Sequence, residues 1–306
     1  MLLADRIAQQ AEEADAFAGQ ADLGQAELLA AIQSANPRYV LDAFASEACA
    51  NLVRTADGLF DRDSELLRLP AESFWLEMQD ERSEDDSQAD RGRIGVLVQT
   101  ERSGRAGFIR HFSSRPDGSC QEFPAWTEFD FDRPPDLDPG SFRLEHGDFP
   151  HLADFLGHTA VHVDDHWESS SIYGRRFDRM TLRSMIAEAV WFDLPIVASF
   201  AALLNSPGAA SVRQSDLDRL NRARAKRKRP ALLDHLEVRL VLGREDHQAH
   251  GGGRADRKPS RLHFVRGHLV HRRGKTFWRA SHLRGDTVRS VLHKTVKVTA
   301  AASLRR

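Results

Sequence analysis

Six cations crowd into eight positions at Arg222, Arg224, Lys226, Arg227, Lys228 and Arg229. Eight residues of helix cover slightly more than two turns, so such a run surrounds most of the cylinder and repels itself unless an anion lies close. Nucleic-acid phosphate is the commonest large polyanion of a cytosol, and gripping it releases condensed counterions. The same run also suits a solvated charged face, or contact with the chain's own acidic residues.

A second constellation occupies residues 261–286, RLHFVRGHLVHRRGKTFWRASHLRGD. It carries Arg261, Arg266, Arg272, Arg273, Lys275, Arg279 and Arg284 together with Trp278. Arginine holds phosphate through two parallel hydrogen bonds and an exposed indole stacks on a base, which is the make-up of a single-strand or RNA surface. Phe264, Phe277 and Trp278 could equally be the core of a hairpin. The segment also offers His268, His271 and His282 as general acid and base groups. Arg266 or Arg284 would stabilise a phosphorane-like charge, and Asp286 would orient an imidazole. That is the equipment of a metal-independent, histidine-dependent nuclease or phosphoesterase, although spacing alone does not assign those roles.

A third cluster is HTAVHVDDHWE. On a strand, His162, Asp164 and His166 project to one side at a spacing that can hold a metal; on a helix, His158, His162 and His166 align instead. A polar strand and turn uses the same residues, and no cofactor is expected. The chain has no Gly-rich phosphate loop, no G-x-S-x-G and no H-E-x-x-H, which argues against NTPases, α/β-hydrolases and zincins.

The elements that must carry these residues read as follows. Residues 2–35 are rich in Ala, Glu and Gln with spaced apolar positions and read as helix; Asn36-Pro37 breaks it, and residues 39–59 resume helical periodicity. This front, 1–68, reads as a helical arm used for packing or self-association. FWLEM, IGVLV and GFIRHF are β-prone runs separated by hydrophilic stretches and read as an antiparallel meander. Residues 129–149, rich in Asp, Pro and Gly, read as a connection. Residues 175–204 are strongly helical, with Pro195 expected to kink or divide them. A basic helix follows, with Ser215 as N-cap and Asp216 and Asp218 in its first turn, ended by Pro230. Residues 236–242, 262–270 with 276–279, and 291–298 close the chain as strands, and Gly251-Gly252-Gly253 reads as linker. Period two would set Phe264, Arg266 and His268 on one side and His263 and Val265 on the other.

Composition bounds the function classes. Of 306 residues, 41% are hydrophobic and 29% charged, enough for a core under a charged surface and unlike collagen-like or wholly disordered chains. No run approaches the roughly 18 apolar residues of a membrane span, the start turns acidic too early for a signal peptide, and two cysteines suit a reducing cytosol. A cytoplasmic, non-membrane protein is expected. The net charge of −2 hides an asymmetry: residues 213–306 hold 25 Lys and Arg against 8 Asp and Glu, and residues 1–212 hold 18 against 37. Opposite halves point to nucleic acid, to an anionic surface, or to each other.

From LNRARAKRKRPALLDHLEVRL onward, the chain resembles a set of uncharacterised phage- and prophage-encoded proteins. These pair an LN-x-A-R-x-K-R helix with a C-terminal H-x-V-R-G-H…F-W…H-x-R-G block. FWLEM, RIGVLVQ and ALLNSPGAASVRQ are similar in order, so the likeness spans about the last three-fifths of the chain, the final block being its most specific part. It implies a mobile-element setting in a bacterial host cytosol, with roles in regulation, genome handling or interference with host defence. It transfers no catalytic residue.

These readings converge on an α+β protein: a helical N-terminal arm (1–68), a central antiparallel sheet with a long helix in an acidic α+β domain (69–212), and a basic C-terminal α+β module (213–306) that either stands alone or packs with the domain before it. Binding of RNA or single-stranded DNA is the leading expectation. A nuclease is the second. The third is an oligomeric structural or protein-interaction component whose acidic front meets its own basic tail.

Overall fold

FWLEM, IGVLV and GFIRHF do form successive antiparallel strands: β2 (Ser73–Gln79), β3 (Arg93–Glu101) and β4 (Ala106–Ser114). The computed structural model describes residues 2–18, 30–56, 59–60, 65–80, 92–101, 104–114, 120–145, 147–170, 176–206 and 208–240. It also describes the strand backbones of 261–265, 268–272, 275–279, 282–284 and 286–291. Two compact units emerge, Met1–Leu240 and Val241–Arg306.

In the first unit the meander grows into a nine-stranded sheet ordered β6-β7-β5-β4-β3-β2-β1-β9-β8. Its further strands are β1 (Arg38–Leu41), β5 (Cys120–Asp130), β6 (Ser141–Phe142), β7 (Thr159–Val163), which the short helix α3 (Ala153–Gly157) precedes, β8 (Ala210–Gln214) and β9 (Leu236–Leu240). The sheet is antiparallel except at β1, which runs parallel to both β2 and β9. The α+β class holds. The purely antiparallel sheet does not, because RYVL, read within a helical stretch, is a strand whose Tyr39 and Leu41 are buried; the helix, α2 (Ala43–Thr55), starts only at Asp42, whose side chain caps Ala45 N at 2.8 Å.

One sheet face is covered by α2 and by α6 (Asp193–Asn205), which pack on each other. Phe200 of α6 meets Tyr39 edge-on and Phe74 at a tilt, with ring centroids 4.9 and 6.4 Å away. α5 (Arg179–Val190) precedes α6, and the chain breaks between them at Trp191–Phe192. The cause is Pro195: it has no N–H for the carbonyl four residues back, Trp191, so the helix divides there and Pro195 sits in the first turn of α6. Residues Arg179–Asn205 together are long and apolar enough to cross a membrane, yet 83% of their most apolar window is buried inside the protein.

On the other face lies α1 (Leu3–Ala18). Leu3 and Ala4 pack with Ile32, Trp75, Leu97 and Phe112 in one buried cluster, so the front helix packs onto the sheet. The buried Glu77 carboxylate caps α1 by accepting from Leu3 N at 2.9 Å, and it also receives Arg93 Nε. Gly95 is required here because a Cβ would collide with the Trp75 indole.

The second unit, in its described residues, is all strand. β10 (Arg261–Val265) pairs antiparallel with β13 (His282–Arg284) and parallel with β14 (Asp286–Val291), while β11 (His268–Arg272) and β12 (Lys275–Arg279) form a separate hairpin. The continuous strand expected over 262–270 is therefore two strands in two sheets. The expected strand at 291–298 lies outside the described residues beyond Val291, as do Gly251-Gly252-Gly253. The fold divides at Leu240/Val241, so β8, β9 and the basic helix belong with the nine-stranded sheet, as do residues 1–68.

Candidate nucleic-acid interface

Between β8 and β9 the chain makes an excursion that carries the basic helix, α7 (Asp218–Lys226), no residue of which is buried. Ser215 is not its cap. Ser215 N donates to His235 O at 3.0 Å and Ser215 Oγ accepts from His235 N at 3.2 Å, so Ser215 extends the β8–β9 pairing beyond its last rung. Leu217 occupies the N-cap without a side-chain bond.

The far end of α7 tightens into a turn. Lys228 N donates to Ala225 O at 3.0 Å, Arg229 N donates to Arg224 O at 3.0 Å, and Lys228 stands at φ 52°, the left-handed position where glycine is usual. The returning loop is stitched back onto the helix. Arg224 Nε reaches Pro230 O at 2.6 Å, and the Asn221 amide both donates to Leu232 O (3.1 Å) and accepts from Leu232 N (2.8 Å). Leu233 N in turn donates to Asp5 Oδ1 of α1 at 2.8 Å, which ties the excursion to the sheet domain.

One side of α7 is thus held by a loop, and its cations remain available. Arg222 Nε leans on the carbonyl of Asp218, and among the described residues none of Arg222, Arg224, Lys226, Arg227, Lys228 and Arg229 pairs with a carboxylate. No carboxylate among the described residues of the acidic front pairs with this helix. Arg224 and Lys226 in its last turn also meet the negative end of the helix dipole.

Of the second constellation, Arg261 lies on β10, Arg272 on β11, Lys275, Trp278 and Arg279 on β12, and Arg284 on β13; Arg266 and Arg273 lie outside the described residues. The hairpin register sets Arg272 opposite Lys275, His268 opposite Arg279 and Leu269 opposite Trp278. His268 and His271 share β11, whereas His282 is on β13 in the other sheet, opposite Val265. The sequence gathers the three histidines within fifteen residues, but the strand assignment distributes them over two sheets.

The described members of the metal-spaced cluster are engaged elsewhere. β7 is a strand, so the helical alignment of His158, His162 and His166 is overturned; His158 is buried and its Nδ1 donates to Asp130 O at 2.7 Å. His162 Nε2 donates to Glu128 Oε2 at 3.0 Å, and Asp164 Oδ1 accepts from Trp167 N at 2.6 Å as the cap of α4 (Asp165–Ser170), on which His166 falls. Among the described residues no three ligand-type side chains gather.

Two features escaped the sequence reading. The first is an open cleft of about 400 Å³ beside α1 on the same sheet face, lined by Phe108, Arg110, Glu122, Trp126 and Asp164. Phe108 and Trp126 are more than a third exposed, and the Trp126 indole stacks on the His162 ring at 5.3 Å. Alternation in GFIRHF carried the signal, with Phe108 and Arg110 outward and Ile109 and His111 inward. The Arg110 guanidinium is already paired with Glu122 at 2.7 Å, and burial lifts the Glu122 carboxyl above the usual carboxylate range despite that partner. Asp164 also lines the cleft, and Glu128 and Asp138 pair with His162 beside it, so carboxylates outnumber cations around it among the described residues named here. The second is a buried trio: His111 Nδ1 meets Asp193 Oδ2 at 2.7 Å and His111 Nε2 meets Thr127 Oγ1 at 2.8 Å. It has the order of a nucleophile, base and orienting acid, but all three are at most 2% exposed, so it fastens α6 to the sheet.

Comparison of the chain with protein-family models, with characterised proteins and with solved structures returns no match.

Proposed function

We propose that this protein binds nucleic acid, RNA or single-stranded DNA, through α7 and the Arg/His/Trp strands of the basic second unit. The observation that carries the reading is α7: a helix with no buried residue whose cations have no carboxylate partner among the described residues. Burial does not account for such a helix, and its self-repulsion is relieved by a polyanion. The resemblance to phage-encoded proteins gives this activity a setting in a bacterial host, in regulation, genome handling or anti-defence.

The test is fluorescence anisotropy of a labelled single strand over a salt titration. Replacing Arg224, Lys226, Arg227 and Lys228 together by Gln should weaken binding and flatten the dependence of log K on log salt by up to about 3, since each phosphate contact contributes about 0.7 for a single strand. Unchanged affinity and slope in that variant would remove α7 from the interface.

A further inference from the structure

A cleft of about 490 Å³ opens where the α7 excursion joins the sheet, lined by Gln33, Asn36, Arg38, Gln214, Asp234 and His235. Resting on the reading just proposed, we infer that this cleft receives an unstacked nucleobase of the strand whose phosphates lie along α7, and reads its hydrogen-bonding edge.

The first ground is what the lining side chains leave unused. Gln33, Asn36 and Gln214 are exposed, and their carboxamides make no hydrogen bond among the described residues. His235 turns Nδ1 towards Leu233 O and Ser215 Oγ, both at 3.3 Å, which leaves Nε2 uncommitted. A carboxamide presents a donor and an acceptor side by side, the pattern that pairs with two adjacent groups on a base edge. The amide oxygens, the Asp234 carboxylate and the uncommitted His235 nitrogen all accept hydrogen bonds. A phosphate diester has no hydrogen to give them, and Asp234 repels it; a base's exocyclic amine has what they need. The chemistry of the cleft therefore complements that of α7.

The second ground is rigidity. Arg38 fastens the walls together: its Nε donates to Asp234 O at 2.8 Å, and its Nη1 donates to Ala35 O at 2.8 Å and to Gln33 O at 3.0 Å. One guanidinium thereby caps the helical residues 30–34 and holds them against the start of β9. Tyr39 and Gln214 are both in register with Leu236, so three chain segments converge on the cleft at one level of the sheet. A site whose amides are held apart in advance loses less freedom on binding.

The third ground is position. Gln214 is the last residue before the excursion that carries α7, and Asp234 is reached as that excursion returns. The two sites share both ends of one loop, and the Asn221–Leu232 bonds hold that loop to the helix.

The experiment measures anisotropy of the full chain with labelled A, C and U ribo-oligomers and their deoxy counterparts, at several salt concentrations. The wild type should prefer one base over another by about tenfold, as expected of one well-formed pairing. In the double variant Gln33→Ala, Gln214→Ala that preference should collapse with the salt slope intact. Both residues are exposed, and circular dichroism confirms that the variant is folded. A wild type that binds all bases equally, or a double variant that keeps the preference, overturns the base-reading cleft while leaving the phosphate contacts of α7 standing. Absence of salt-dependent binding to any oligomer overturns both. Matched ribo and deoxy arms show whether the 2′-hydroxyl contributes.

Discussion

Lys228 occupies a backbone position that costs a side-chain-bearing residue about 1 kcal/mol and that glycine fills without strain, yet the chain keeps a cation there. Packing does not account for the choice, because the residue is exposed; the proposed phosphate contact does. Two opposite effects should follow from Lys228→Gly. Stability in urea should rise by about 1 kcal/mol, while affinity for a single strand should fall and the salt slope should drop by about 0.7. A variant that is less stable, or that binds as before, would assign Lys228 a different role. His111 shows the reverse case, a polar residue wholly spent on structure. Its two ring nitrogens are satisfied by Asp193 and Thr127, and the price is Asp193 Oδ1, buried with no partner among the described residues.

Between elements, the docking of α1 depends on two buried carboxylates, Glu77 at its N-terminus and Asp5 on its first turn. Burial raises the Asp5 carboxyl above its ordinary value of 3.8, and nearby Glu77 adds to this, against the stabilising Leu233 N–H. The unfolded chain thus releases this proton near 3.8 and the folded chain only at higher pH. The Asp5 contribution to stability is then fully present below 3.8 and is lost as pH rises through the folded value. Asp5→Asn keeps an oxygen for Leu233 N and removes the charge. It should melt above wild type at pH 7, with the advantage shrinking as pH falls through that window; a pH-independent difference would show that the charge is not the cause. Elements of this kind were unevenly legible. Long apolar runs such as IGVLV announced β2 to β4, and Pro195 announced the break before α6. RYVL did not announce β1, because four residues abutting a capped helix share its apolar spacing, and their strand character comes from pairing with β2 and β9, distant in sequence. Ser215 reads as a helix cap by local rules and is claimed by His235 instead, twenty residues on. The base-reading cleft was illegible for the same reason: Gln33, Gln214 and His235 are unremarkable until the sheet brings them together.

Across the whole molecule, charge and fold divide at different places. The cationic composition begins near residue 213, but the first compact unit runs to Leu240 and takes α7 with it. Among the described residues no carboxylate of the domain pairs with this basic helix, its cations are exposed except for the half-buried Arg224, and charges beyond a Debye length of about 8 Å at physiological salt are largely screened. A chain of net charge −2 should therefore behave as a polyanion binder despite its balance. The consequence can be read on freshly purified full-length protein. Prepared at low salt, it should carry cellular nucleic acid and show a ratio of absorbance at 260 to 280 nm above that expected from its tryptophans and tyrosines. Washing in 1 M salt, where the screening length is about 3 Å, should bring the ratio down to the protein value, and nuclease treatment at low salt should do the same. A ratio already at the protein value before the wash would mean that the acidic part of the chain governs its encounters with polyanions, and the exposure of α7 would then need a different explanation.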